Sequence, residues 1–210
     1  MQWTISKVCL AFAGVVILSS APAQAQVVIV DNLTQPNEGV DSLGVFAAAQ
    51  QFTTDGTARQ LSSVTLALIG NPGDSLTVTL DSDAGGIPGS DLLNLGTAVP
   101  TSNAAFTDIT LVPATPFTLA ANTSYWIAGQ YNGTPGWGFT GDGFSPGSND
   151  SSGVGSLGDY SEFNFGWVSD PLSPYLIEVQ ATPEPGASAL AAGFFLTGAV
   201  FLRRRRFKAQ

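Results

Sequence analysis

The 210-residue chain contains no histidine and a single cysteine, and nearly all of its lysines and arginines lie at its two ends. The single cysteine, Cys9, lies outside residues 26–182, so this central segment contains neither an imidazole nor a thiol. Histidine bases, cysteine nucleophiles, disulfides and zinc sites of the His/Cys type are therefore excluded from it. Between residues 26 and 182, Arg59 is the one basic residue against 15 acidic ones, a net charge of −14. Because nucleic-acid binding needs cations that neutralise phosphates, we expect no nucleic-acid partner.

Residues 1–25 have the pattern of a secretory signal. A lysine precedes an apolar run at 8–18, and Ala23 and Ala25 have the small-x-small spacing of a cleavage site. The apolar run is shorter than the roughly 20 residues that a membrane span needs. We therefore expect a signal helix, export by Sec-type machinery and a mature chain that begins at Gln26.

Residues 183–210 combine three features in a fixed order. Pro183-Glu184-Pro185 is followed by an uncharged, mostly apolar run at 187–202, and the run is followed by a cluster of basic residues, Arg203, Arg204, Arg205 and Arg206. We expect 187–202 to form a single transmembrane helix in the inner membrane, with snorkelling arginines extending its reach. The positive-inside rule places the arginines in the cytoplasm and the body outside.

In this order and at this spacing, the three features resemble the PEP-CTERM sorting domain of Gram-negative bacteria. The resemblance implies that an exosortase-type processing enzyme recognises the segment and cuts near Pro183-Glu184-Pro185. The protein would then be anchored transiently by its C-terminal helix before it reaches the cell surface or the extracellular matrix. The alternative is a surface protein that its C-terminal tail anchors permanently.

Residues 26–182 predict one all-β domain. Apolar side chains alternate with polar ones in short segments that Gly-, Pro-, Asn- and Asp-rich turns separate, and no amphipathic helix is visible. The pattern predicts strands at 27–30, 46–53, 61–69, 76–80, 106–112, 124–131, 137–140, 163–168 and 175–180. Such spacing is typical of an antiparallel two-sheet sandwich, and we expect a jelly-roll-like one. Residues 141–161 are rich in Gly, Ser and Asp, and we expect a long loop that is either functional or merely mobile.

Part of this domain also resembles a known family of extracellular β domains. Phe52-Thr53 and the segments 61–66, 76–89 and 117–126 are similar to the choice-of-anchor domains, particularly the R type. The resemblance covers about residues 50 to 140. It implies a β fold and a surface or secreted location, and it carries no catalytic residues.

An acidic turn and two tryptophans are the candidate ligand-binding residues. Asp81 and Asp83 could supply two oxygen ligands to Ca²⁺, or they could simply hold a turn in which glycines adopt positive φ. Most aromatic side chains of the second half are expected to fill the core. If any ring stacks on a sugar, we expect Trp137 or Trp167, because these two flank the long Gly-rich segment.

Four carboxylates near these aromatics allow a third hypothesis. Asp142, Asp150, Asp159 and Glu162 could contain a pair that hydrolyses glycosides, or they could solvate a secreted surface. We expect the second, and so no enzymatic activity and no obligatory cofactor. The sequence therefore favours an exported structural or adhesive protein of the cell envelope or extracellular matrix. The alternative is a carbohydrate-binding module for exopolysaccharide, and a glycoside-acting enzyme is the remote one.

Overall fold

The computed structural model describes residues 25–41, 47–140, 153–163, 167–170 and 174–184. Within these ranges the chain forms strands and no helix, as the alternating pattern predicts. The strands are β1 (Val27–Asp31), β2 (Gly39–Asp41), β3 (Ala47–Thr53), β4 (Arg59–Ile69), β5 (Ser75–Asp83), β6 (Pro88–Ala98), β7 (Thr107–Leu111), β8 (Thr118–Leu119), β9 (Ser124–Asn132), β10 (Gly136–Phe139), β11 (Ser156–Phe163), β12 (Trp167–Asp170) and β13 (Ile177–Pro183).

Two antiparallel sheets contain these strands. The seven-stranded sheet runs β1-β13-β4-β10-β2, and β7 and β8 also pair with β4. The six-stranded sheet runs β12-β11-β3-β9-β5-β6. The first strand pairs with the last, since Val27 lies opposite Ala181, so both ends of the described fold leave from one edge of the seven-stranded sheet.

One apolar core lies between the sheets and follows the predicted alternation. Val64, Leu66 and Leu68 of β4 are fully buried in it, while Ser63 and Thr65 point to the opposite face. The six-stranded sheet contributes the alternating apolar residues of β5 and β9, which are Leu76, Val78, Leu80, Tyr125 and Ile127. The prediction of an all-β body with two antiparallel sheets is therefore confirmed.

Two of the predictions for residues 141–168 are wrong. Phe163 and Trp167 do not share a strand, because they lie opposite each other on the antiparallel pair β11 and β12. Part of the expected loop 141–161 is strand β11, which pairs with β3. The polar start of β6, with Pro88 and Gly89 in its first two positions, gave no alternation signal, although β6 has eleven residues.

Strand β13 extends further than its sequence indicates. The alternation stops near Gln180, yet Thr182 and Pro183 still lie opposite Gln60 and Arg59 of β4. A proline has no backbone N–H to donate, but it is tolerated where a strand ends. Glu184 follows directly and is exposed.

Both expected helices lie outside the described residues, since 1–24 and 185–210 are not among them. Within the described ranges, no helix is long and apolar enough to cross a membrane. The signal segment and the C-terminal span therefore stay predictions from the sequence.

Candidate functional site

The outward face of the seven-stranded sheet carries an open groove of about 560 Å³. We call it the outer groove and define it by its ten lining residues, Gln26, Leu33, Ser62, Ser63, Thr65, Asp108, Thr110, Val112, Glu178 and Gln180. Its volume is within the range of about 300–1,000 Å³ that small-molecule sites occupy. Eight of the ten side chains are polar, and the two apolar ones, Leu33 and Val112, add hydrocarbon surface.

Three neighbouring strands, β13, β4 and β7, bring most of these side chains onto one face. Glu178 of β13 lies opposite Thr65 of β4, and Thr65 lies opposite Thr110 of β7, so the three form a row across the sheet. Gln180 and Ser63 form the next row. Because polar residues alternate with core residues on each strand, the inward contacts of the same strands hold the groove in place.

Hydroxyl groups form the floor of the outer groove. The Oγ1 atoms of Thr65 and Thr110 are hydrogen-bonded at 3.0 Å, and the side chains of Ser63 and Thr65 are largely covered by their neighbours. Each hydroxyl in such a pair keeps acceptor capacity for a further partner. The floor is therefore a donor and acceptor surface that suits a polyhydroxylated ligand.

A β-bulge adds a second serine to this floor. Gln180 lies opposite Ser63 and Ala181 lies opposite Leu61, so Ser62 is the extra residue on β4. The Oγ atom of Ser62 is buried and has no hydrogen-bond partner. A buried hydroxyl without a partner costs free energy. Because this atom is buried, the bulge shapes the floor of the groove and its hydroxyl does not meet a ligand directly.

Carboxylates stand on the two strands that flank β4 in the groove, β13 and β7. Glu178 is half-buried on β13 and its Oε1 accepts a hydrogen bond from Nε2 of Gln180. Asp108 is exposed on β7 at the other flank. On β4, Thr65 lies opposite Glu178, and Ala67, two residues further along, lies opposite Asp108. Strand spacing and rise then put the two Cα atoms about 12 Å apart.

The structure makes Asp83 the holder of a turn. Its carboxylate accepts hydrogen bonds from the backbone N–H groups of Gly85 at 3.2 Å and Gly86 at 3.1 Å, and both glycines have positive φ. It also accepts from Nε2 of Gln51 at 2.8 Å and from Nε1 of Trp126 at 2.9 Å. Burial opposes ionisation of Asp83, but these hydrogen bonds outweigh it and lower its pKa.

The side chain of Asp81 is placed quite differently. It is buried, its Oδ1 has no hydrogen-bond partner, and its backbone lies opposite Asp91 on β6. Burial raises the pKa of Asp81, and the nearby Asp91 carboxylate raises it further, while a hydrogen bond with Thr79 acts in the opposite direction. Asp81 and Asp83 therefore do not present a shared set of free oxygens.

Calcium at this turn would have to displace the donors that hold Asp83. Among the described residues, no group of three or more Asp, Glu, His or Cys side chains is placed to hold a metal ion. The geometry matches the turn-holding interpretation of Asp83.

Trp137 is a core residue and offers no ring to a ligand in this structure. Its side chain has no exposed area, and it stacks on Tyr175 with ring centroids 4.6 Å apart. Its Nε1–H donates to the backbone carbonyl of Leu176 at 3.1 Å. The physical reason is the side-chain alternation along β10, which points this ring into the core between the sheets. The polar end of the indole then faces Leu176, the residue just before β13.

Trp167 lies on the outward face of the six-stranded sheet and is half-buried. It packs against a small cluster on that face, formed by Ala49, Trp126 and Ala128. Only part of the ring is therefore accessible. Trp167 does not adjoin the outer groove, because the groove lies on the outward face of the other sheet.

The four carboxylates of the glycosidase hypothesis stay a prediction from the sequence. Asp142 and Asp150 lie outside the described residues, and Asp159 and Glu162 lie on strand β11. The groove residues Asp108, Glu178 and Gln180 were not among the sequence candidates, although polar and apolar residues alternate at 107–111 and 177–180. Alternation identifies an outward face, but it does not say which outward faces adjoin.

Comparison with known proteins adds no relative to this description. No protein-family model matches the chain, and no curated protein matches its sequence.

Proposed function

We propose that this chain is an exported, non-catalytic adhesive protein of the cell envelope or extracellular matrix, and that its body binds exopolysaccharide through the outer groove. The observation that carries the proposal is the groove itself, in which eight of ten lining side chains can form hydrogen bonds. A polysaccharide offers many hydroxyl groups along an extended chain. An open groove on rigid strands accommodates such a chain without closing around it.

The sequence features at both ends support the export part of the proposal. The folded strands begin at Val27, directly after the proposed signal cleavage, and end at Pro183, where the proposed sorting signal begins. Cleavage near Pro183-Glu184-Pro185 by an exosortase-type enzyme would then separate the body from its transient inner-membrane anchor. The PEP-CTERM and choice-of-anchor resemblances, the Gram-negative source and the jelly-roll-like arrangement belong to this proposal.

A glycan array tests the binding part. The full chain is expressed in a host that removes the signal and has no exosortase, so that a tag at its C-terminus is kept. It is purified in detergent and applied to neutral, acidic and amino-sugar polysaccharides. The N-terminus stays untagged because Gln26 lines the groove. We expect retention of intact polysaccharide; retention of none would contradict the proposal.

The same samples test the non-catalytic part. We expect no new reducing ends after prolonged incubation with each retained polysaccharide. Their appearance, abolished by Glu178→Gln, would contradict the proposal and favour the glycoside-acting enzyme.

A further inference from the structure

The lining of the outer groove is negatively charged. Glu178 and Asp108 stand on opposite flanks, and none of the ten lining residues is Lys or Arg. The proposed cleavage before Gln26 would add one α-ammonium group at the rim, so two carboxylates still outnumber it. A ligand that enters this groove therefore meets an excess of negative charge.

The rest of the body strengthens this field. Residues 26–182 carry a net charge of −14, and their one cation, Arg59, is paired with Asp55 rather than free to face a ligand. The Arg59 guanidinium, which hydrogen-bonds the Asp55 carboxylate, holds the pKa of that carboxyl below its usual range, against a smaller effect of burial. Polymers with carboxylate or sulfate groups are repelled by such a surface, and polymers with ammonium groups are attracted.

The floor between the two carboxylates also offers hydrogen-bonding groups to a ligand. It offers the exposed hydroxyl of Thr110, which is hydrogen-bonded to Thr65, together with the hydroxyl of Ser63. These groups can donate to and accept from sugar hydroxyls. The groove thus combines a hydroxyl-rich floor with two anionic flanks about 12 Å apart.

We infer that the outer groove binds a polysaccharide whose sugars carry free amino groups, with ammonium groups pairing with Glu178 and Asp108. This inference rests on the proposed function and specifies its ligand class. Neutral sugars would share the floor contacts and lack the two ion pairs. Anionic sugars would share the floor contacts and be repelled at both flanks.

Matched oligosaccharides test the inference with the detergent-purified full chain. Fully deacetylated glucosamine oligomers are compared with N-acetylated oligomers of equal length, because acetylation removes the charge and keeps the sugar. We expect the free-amine oligomer to bind about tenfold more tightly at low salt, the effect of two partly exposed ion pairs. Added salt should reduce this preference, since exposed charge pairs are screened.

Charge-neutral variants locate the effect. Glu178→Gln and Asp108→Asn should each reduce the preference for the free-amine oligomer over the acetylated one about 2- to 5-fold. Asp91→Asn is the matched control, because Asp91 is exposed on the other sheet and does not line the groove. It should leave both affinities unchanged.

The other outcomes separate this inference from the proposed function. Equal binding of both oligomers, unaffected by the two variants, would overturn the amino-sugar preference while polysaccharide binding stands. Equally tight binding of polylysine, with the same sensitivity to Glu178→Gln, would overturn the sugar specificity and indicate a general polycation site. Failure to retain any polysaccharide, charged or neutral, would overturn the proposed function as well.

Discussion

At the scale of single residues, two aspartates on one strand have opposite effects on stability. Asp83 is satisfied by four donor groups, whereas Asp81 is buried with one oxygen unpartnered, only two residues away on β5. The burial of Asp81 on an outward face is a consequence of its neighbours, since β9 places Trp126 directly opposite it. The sequence alone shows two similar acids in a polar turn and cannot distinguish them.

The first prediction concerns Asp81. Its pKa is raised on folding, so its contribution to stability is fully present below the unfolded pKa and is lost as pH rises through the folded pKa. Asp81→Asn should therefore raise Tm at pH 7 by roughly 2–4 °C, equivalent to about 1 kcal/mol, and have little effect at pH 3.5. Thermal unfolding at both pH values is the measurement. A lower Tm at pH 7 would show that the carboxylate is stabilised by a partner such as a bound cation.

The second prediction concerns Asp83, where the sign reverses. Its pKa is lowered on folding, so its stabilisation is present above the unfolded pKa and disappears as pH falls through the folded pKa. Asp83→Ala leaves the Nε1–H of Trp126 without its acceptor and should cost about 2 kcal/mol at pH 7, with a smaller loss at low pH. Asp108→Ala, an exposed acid on β7 of the other sheet, is the control and should stay within about 0.5 kcal/mol.

The third prediction separates the turn from a calcium site. Because Asp83 is already hydrogen-bonded to four donors, millimolar Ca²⁺ should leave Tm the same as in chelator. A rise in Tm with Ca²⁺ that Asp83→Asn abolishes would establish the cation site that the sequence allows.

At the scale of elements, a buried polar contact fixes the segment that leads into β13. Asn32, just after β1, donates from Nδ2 to the carbonyl of Tyr175 at 3.0 Å and accepts from the N–H of Ile177 at 2.7 Å. Gln50 of the opposite sheet accepts from the N–H of Tyr175 at 2.7 Å. The chain is thus held where it passes between the sheets, beside the buried ring of Trp137.

The fourth prediction tests this contact. Asn32→Leu removes both hydrogen bonds and leaves a buried carbonyl and a buried N–H without their partner, so it should cost at least about 2 kcal/mol. Gln130→Leu is the control, because Gln130 is an exposed amide on β9, and its effect should be near zero. Urea unfolding of the two variants gives the comparison; equal midpoints would show that the contact does not hold the segment.

The strands show what alternation can and cannot predict. Val64, Leu66 and Leu68 identify the buried face of β4 correctly, because a strand with one buried face must repeat every second residue. β6 lacks this signal, since its pairing with β5 carries three irregularities and residues 89–92 are all exposed. The outer groove needs three strands that are remote in sequence, and its composition follows from sheet order rather than from any local motif.

At the scale of the whole molecule, we expect the described strands to fold without either terminal segment. β1 and β13 close the seven-stranded sheet side by side, and the folded part ends at Pro183. The uncharged run at 187–202 has no polar face with which to cover a water-exposed sheet, so it is expected to act in lipid.

The fifth prediction follows from this separation. Deleting 187–210 should leave the melting curve of the body unchanged and release the protein from the cell. Replacing Arg203 to Arg206 with neutral residues should impair sorting and leave the β domain folded. Calorimetry and fractionation of cells measure the two effects. A truncated body that unfolds or aggregates would mean that the apolar segment packs on the sheets.

We proposed that the body binds polysaccharide through the outer groove, and two matched double variants separate the groove from the rest of the surface. Gln180→Ala with Thr110→Ala removes an amide and a hydroxyl from the groove, while Gln130→Ala with Thr97→Ala removes the same groups from the outward face of the other sheet. The measurement is the dissociation constant of each full-length variant for a polysaccharide that the wild type retains. The account predicts about tenfold weaker binding for the groove variant and wild-type binding for its match. Equal affinities for the two variants would contradict it.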